Sequence, residues 1–296
     1  MLRPSAEVAA ALALQAPIVA LESTLLAHGL PKEESLEAAH AIEAAVREEG
    51  AVPATIAIID GAARIGLDDQ DLETIVWGPT KKASLRDLAP ALALGGVHAT
   101  TVAATMAIAR RAGVRFFATG GIGGVHRGAD QTFDESADLM ALATEPVLVV
   151  SAGAKSVLDL ARTLERLESL GVPVIGCNTN KFPAFYHRGS ELDVPYRVDE
   201  PSEIARVFAI RLELQQGGML VVQPPPTEPD ISEAELASWI DEALADPATP
   251  RGPALTPFLL ARLADRSRGQ LVDVNVELVV ANARLAARIA VASSHI

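Results

Sequence analysis

Short apolar runs recur along the chain at residues 18–21, 55–59, 116–118, 147–150, 172–175 and 218–222. Each is too short for a helix and apolar throughout, as strands buried on both faces are. Longer stretches, 34–49, 101–112, 156–170 and 202–215, carry apolar residues at three- and four-residue spacing, and several stop at a glycine. Strand followed by helix, repeated, predicts an α/β fold: a single three-layer α/β/α domain over residues 1–296 with a largely parallel central sheet. Ligands of such sheets lie beyond the carboxyl ends of the strands. Glu22, the stretch from Gly120 and Lys155 all follow apolar runs, and are expected to face one crevice.

Proline-rich breaks at 223–230 and 246–257 bracket an amphipathic stretch, 232–244, with Ser232 as N-cap and Glu235 three residues on, a capping-box spacing. From 256 to 289 the pattern is helical again, interrupted at Arg268 and Gly269, with Asn275 opening an apolar helix that returns to the core. No internal repeat or low-complexity segment is present.

At 296 residues and 49% hydrophobic, the chain is long enough to bury a substantial core. Its formal charge of −13 and its lack of a basic block argue against nucleic acid and for a small-molecule substrate. No apolar run approaches the length of a membrane span. Cys177 is the only cysteine, and Met1-Leu-Arg-Pro-Ser lacks the order of a signal peptide, so a cytoplasmic protein is expected. Cys177 itself reads as a small buried packing residue.

The densest chemistry lies between Ala118 and Asp138: five glycines, His126, Arg127 and four acids. Glycine loses the most backbone entropy on ordering, so such a cluster after an apolar run predicts close approach of backbone to a ligand, with loop amides, Thr119 and His126 holding a phosphate. The spacing is neither a Walker loop nor a dinucleotide fingerprint. Asp134 and Asp138 stand four apart, which on a helix puts both carboxylates on one face with Ser136 alongside; they read either as ligands of a hard divalent metal or as acids favoured by a helix dipole.

Lys155 follows the run 147–150 at the predicted start of a helix. It reads either as a solvated first-turn lysine or as an active-site amine, whose neutral, nucleophilic form a helix N-terminus favours. Lys82 is a candidate second cation beside it, or a solvated loop charge. Glu22 ends the first apolar run and reads as a turn cap or as a general acid whose pKa burial raises. His28, His40, His98 and His187 read as surface or packing residues, although His98 leads into a segment, 99–102, that can line the crevice.

Taken together, Ala20-Leu-Glu-Ser-Thr24 with His28-Gly29, the segments 82–88, 119–128, 132–139 and 151–159, Phe182-Pro-Ala-Phe-Tyr186, and 256–262 with Asn275 resemble the pseudouridine-5′-phosphate glycosidases over nearly the whole chain. Leu85 departs from the pattern, standing where the family carries a basic residue. The resemblance implies reversible cleavage of the carbon–carbon glycosidic bond of pseudouridine 5′-phosphate to uracil and ribose 5-phosphate, with manganese or another divalent metal, in a homotrimer. It implies Lys155 as covalent nucleophile, Glu22 as proton donor and Asp134 as metal ligand. Lys82, Val102, Ser136, Ala137 and Asp138 then line the substrate, with Thr119, His126 and Asn275 added. A carbon leaving group suits the two-carboxylate route of ordinary glycosidases poorly, and a lysine iminium at C1′ supplies the electron sink. Two rivals are another lysine-dependent lyase acting on a phosphosugar adduct, and a phosphosugar-binding protein without chemistry.

Overall fold

The computed structural model describes residues 1–250 and 252–294, except for the side chain of Pro253; Arg251 of the second proline-rich stretch lies outside the described residues. Eleven strands form one sheet: β1 (Leu2–Pro4), β2 (Ile18–Glu22), β3 (Val52–Ile59), β4 (Ala62–Ile65), β5 (Lys81–Ala83), β6 (Val97–Thr100), β7 (Phe116–Ala118), β8 (Leu148–Ser151), β9 (Val174–Gly176), β10 (Tyr196–Arg197) and β11 (Met219–Val222). The order is β1-β4-β3-β2-β7-β8-β11-β9-β10, with β6 and then β5 branching from β3. Among the described residues only the β3–β4 and β3–β6 strand pairings are antiparallel. The six apolar runs are the six strands β2, β3, β7, β8, β9 and β11, and β2, β7, β8 and β11 are buried at every residue.

Helices cover both faces. Helix Gln270–Ser293 lies along β2, β7 and β8 with helices Lys32–Glu48 and Pro201–Glu213 beside it, while Val102–Ala112 packs on β2, β3 and β6 and against Ala137–Thr144. Helix Val102–Ala112 starts where it does because the Thr101 side chain accepts from the Ala104 amide, and it stops at Gly113, whose φ of 85° a side chain would strain. Helix Glu233–Ala245 begins at Ser232, whose hydroxyl accepts from the Glu235 amide at 3.2 Å, as its spacing predicts.

Three predicted elements shift. The helix expected from Ser156 begins only at Leu160, because Asp159 is the residue whose side chain caps it. Lys155 therefore sits in the preceding turn, and the helix-terminus argument for its neutral form does not apply. Asp134 precedes helix Ala137–Thr144, which Ser136 caps, so Asp134 and Asp138 do not share a helical face. Asn275 lies inside helix Gln270–Ser293, whose N-cap is Gly269.

Candidate active site

The parallel strands deliver their following residues to one end of the sheet. Glu22 is the last residue of β2, Thr119 follows β7 and Lys155 stands four residues past β8, while Thr101 and Val102 follow β6, which is antiparallel to β3 and so runs against these three strands. Lys82 comes from within β5, in register with Ala99 of β6. All of these residues line two adjoining cavities.

The outer cleft, of about 510 Å³, is lined by Glu22, Lys82, Val102, His126, Asp134, Ser136, Ala137, Asp138 and Lys155, with Ser84 to Asp87 at its rim. Leu85, in the turn Leu85–Asp87, lines this cleft and packs against the core. The inner chamber shares Glu22, Thr24, Lys82 and Lys155 with the cleft and adds His28, Thr119, Phe185 and Asn275. Thr119 and Asn275 thus belong to the chamber, and His126 and Asp134 to the cleft.

Two loops build the floor by continuing the sheet's pairing past β7 and β8. Ala152 donates to the Gly120 carbonyl at 2.9 Å, Ile122 to Gly153 at 3.0 Å, and Lys155 to Ile122 at 3.1 Å. Gly153 turns the second loop at φ +84°, where a Cβ would strike the Pro183 carbonyl, and Phe185 donates its amide to Ala152 from above. The 182–186 motif is therefore the clamp that holds the Lys155 loop.

The glycines serve the protein's own side chains. A Cβ on Gly121 would lie 2.6 Å from the Phe185 ring, one on Gly123 2.8 Å from Asp138 Oδ2, and one on Gly124 2.7 Å from Thr163 Cγ2. Three of the loop amides are committed within the chain: Gly123 donates to Asp138 Oδ2 at 2.7 Å, Val125 to Thr163 Oγ1 at 3.0 Å, and His126 to the Asp134 carbonyl at 3.0 Å. Asp138 is a brace, since its Oδ1 also accepts from Ala103 at 2.9 Å and so ties the helix after β6 to the loop after β7.

Burial raises the pKa of Glu22 most strongly; opposing it are the Lys155 charge and the hydrogen bond donated by Thr119 Oγ1. Burial lowers that of Lys82, and the neighbouring Lys155 charge lowers it further. His126 is held below its ordinary value by burial, against the pull of Asp134. The cleft thus holds a carboxyl biased to stay protonated beside paired amines.

Among the described residues no three His, Cys, Asp or Glu side chains are grouped to enclose a metal. Asp134 nevertheless offers one hard oxygen donor at the cleft, a donor set that fits a divalent ion completed by water and substrate.

His28 does not behave as a surface or packing residue. It lies in the π turn Leu25–Gly29 and lines the inner chamber, and its buried Nε2 has no hydrogen-bond partner among the described residues. His187 does pack, its Nε2 lying 2.8 Å from the Ile231 carbonyl. Cys177 is buried, its thiol pushed up to about 11 by burial. Asn282, not foreseen, donates to the Thr119 carbonyl at 2.8 Å and accepts from Gln223 at 2.9 Å. A signal for it existed, because Asn275, Val279, Asn282 and Ala286 recur at helical spacing on one face.

Comparison with known proteins shows what this chain is related to. The model of the indigoidine synthase A-like proteins matches residues 7–292. The chain belongs to that family. A pseudouridine-5′-phosphate glycosidase of Paracoccus denitrificans is 53% identical over 97% of both chains, and one of Caldanaerobacter subterraneus is 52% identical over 97% of this chain and 95% of its own. Among solved structures, the prealnumycin C-glycosynthase in complex with ribulose 5-phosphate superposes with a TM-score of 0.90 at 41% identity, over 100% of this chain and 97% of that one. An indigoidine synthase A-like protein of Thermotoga maritima gives a TM-score of 0.90 at 32% identity, over 98% and 96%. These solved chains thus share this fold end to end.

Proposed function

We propose that this chain cleaves the C1′–C5 bond of pseudouridine 5′-phosphate reversibly, giving uracil and ribose 5-phosphate through a lysine Schiff base. The convergence of a buried Glu22 with Lys155 in one cavity carries the reading, and the glycosidase relatives at 53% and 52% identity supply the substrate.

Glu22, biased toward its protonated form, donates its proton to the ribose ring oxygen as the Lys155 nitrogen bonds to C1′ and the C1′–O bond breaks. The nitrogen, cationic once bonded to C1′, gives up one proton, which serves to protonate uracil C5; the C1′–C5 electron pair then returns to the base, while the freed nitrogen lone pair forms the iminium. Water hydrolyses that iminium to free ribose 5-phosphate. Lys82 and Val102, with Ser136, Ala137 and Asp138, line the phosphosugar, and Thr119, His126 and Asn275 complete the site. Asp134 is the candidate ligand for manganese or another divalent ion, which would offset negative charge on the substrate when bound.

The reading extends to a homotrimer on family resemblance. A cytoplasmic setting is supported by the lone buried Cys177 and by the lack, among the described residues, of a helix long and apolar enough to cross a membrane.

The test is borohydride reduction of the protein with ribose 5-phosphate and manganese, followed by peptide mass spectrometry. A reduced ribose phosphate adduct on Lys155, absent from Lys155→Ala, is expected; no adduct under conditions of proven binding overturns the Schiff base.

A further inference from the structure

Strand β3 has two edges. β4 pairs along one of them from Ile56 to Ile59, and the other is divided between β2, which runs parallel to it as far as Ile56, and β6, which runs antiparallel from Ile59 to Ala57. β2 and β6 therefore meet head-on, with Glu22 level with Ile56 and Ala99 level with Ala57, and both bring their carboxyl ends to the same point. This is how an antiparallel strand contributes to a site built by parallel ones. Among the described residues β2 and β6 share no strand pairing, so the register between them has to come from elsewhere.

Side-chain hydroxyls close the join. Ser23, the residue after Glu22, and Thr100, the last of β6, both donate to the Ile56 carbonyl at 2.7 Å, and the Thr100 amide donates to Ser23 Oγ at 2.9 Å. A hydroxyl carries one hydrogen, and these two are spent on Ile56. Thr105 Oγ1, 2.8 Å from Thr100 Oγ1, is then the donor of that pair and brings helix Val102–Ala112 into the network. The side chains of Ser23, Thr100 and Thr105 are fully buried, and each hydroxyl hydrogen has an acceptor. A fully satisfied buried network of this kind specifies one arrangement of the chains that meet in it.

The chains meeting here carry the proposed chemistry. Glu22 immediately precedes Ser23. On the other side Thr100 stands level with Ala83 of β5, whose carbonyl accepts from the Thr101 amide at 3.0 Å, and Lys82 stands level with Ala99. We propose that Ser23 and Thr100 are positioning residues, which hold the Glu22 carboxyl in register with Lys82 and Val102 across the join without touching substrate. This rests on the reading of Glu22 as the proton donor. A proton donor acts through its alignment in the transition state, and a displacement of about 1 Å costs roughly 100-fold in rate. Loosening the join therefore lowers kcat more than it raises KM.

The experiment measures kcat and KM for cleavage of pseudouridine 5′-phosphate, together with thermal unfolding, for wild type, Thr100→Val, Thr100→Ser, Ser23→Ala and Thr55→Val. Thr100→Val keeps the shape and removes the hydroxyl, whereas Thr100→Ser keeps the hydroxyl. Ser23→Ala supplies the same reading should Thr100→Val not fold. Thr55→Val is the control, since it removes a buried hydroxyl of β3 that donates to Glu43 on helix Lys32–Glu48 at 2.6 Å and takes no part in the join. In Thr100→Val and Ser23→Ala, kcat per folded molecule is expected to fall at least about tenfold with KM within about threefold. It is expected to stay within about threefold of wild type in Thr100→Ser, and within about twofold in Thr55→Val despite a lower unfolding temperature. Wild-type kcat in folded Thr100→Val or Ser23→Ala overturns the positioning role. A loss in Thr100→Ser as large as in Thr100→Val overturns it in favour of shape, and an equal loss in Thr55→Val overturns it in favour of general stability. A wild-type protein that does not cleave the substrate overturns the underlying reading of Glu22, and this inference with it.

Discussion

Thr119, one residue past the end of β7, donates its hydroxyl hydrogen to the carboxylate of Glu22 at the end of the adjacent strand β2. The bond fixes the acid's orientation, while burial holds its pKa above the ordinary 4.5. A native state that keeps its proton to higher pH than the unfolded chain loses stability as pH rises through that interval. Glu22→Gln is therefore expected to be more stable than wild type by a margin larger at pH 8 than at pH 5, and to lose cleavage by at least about 100-fold. Thermal unfolding at the two pH values checks the first part, and equal margins would count against it.

Gly123 and Gly128 stand in the same loop with opposite constraints. A Cβ on Gly123 would sit 2.6 Å from Ser136 Cβ and 2.8 Å from Asp138 Oδ2, whereas Gly128, at φ +77°, has nothing within 4 Å of that position. Gly123→Ala is expected to cost about 1–3 kcal/mol by overpacking and to lower activity by displacing Ser136 and Asp138. Gly128→Ala meets only the left-handed backbone penalty of about 1–2 kcal/mol, and activity per folded molecule stays near wild type. Urea unfolding combined with kinetics on both variants separates the two, and loss of activity in Gly128→Ala alone would refute the assignment.

Asn282 holds the backbone that carries Thr119, and through Thr119 it acts on Glu22. Asn282→Ala removes the partner of the Thr119 carbonyl and of Gln223 in a buried setting, with an expected loss of about 1–3 kcal/mol. If the residue positions Glu22, the pH profile of kcat moves as well as the stability. A stability loss with an unmoved profile would confine Asn282 to packing.

The outer cleft is large enough for a phosphosugar, and remote binding of a phosphate contributes to the chemical step as well as to affinity. Unphosphorylated pseudouridine is expected to turn over with kcat/KM at least about 100-fold lower than its 5′-phosphate. Product analysis by liquid chromatography measures both, and equal values would remove the phosphate from the mechanism.

The parts of the fold that could be read from sequence are those governed by burial. Strands β2, β3, β7, β8, β9 and β11 are apolar because helices cover both of their faces, and that leaves an unbroken run. By contrast, β4 carries Arg64, β5 carries Lys81 and Lys82, and β6 carries His98 within three or four residues, too few to establish a period of two. The crevice follows from strand ends, and Glu22 and Lys155 do line one cavity there. The purpose of the glycine loop is less legible, because sequence shows that backbone approaches something closely, and not whether that partner is a ligand or, as Gly121, Gly123 and Gly124 meet here, Phe185, Asp138 and Thr163 of the same chain. His28 reads from sequence as a surface or packing residue because a π turn closes over five residues and leaves no periodic trace of the pocket it lines.

Helix Gln270–Ser293 furnishes Asn275 to the chamber and Asn282 to the backbone beneath it, while the proposed acid and amine lie far earlier in the chain. Folding during synthesis proceeds from the N-terminal end. A nascent chain displays Glu22 and Lys155 to the medium before the wall that confines them has been translated, and a product interrupted before residue 282 carries both groups without their last supports. On the proposed reading of Glu22 and Lys155, competence is withheld until translation is nearly finished.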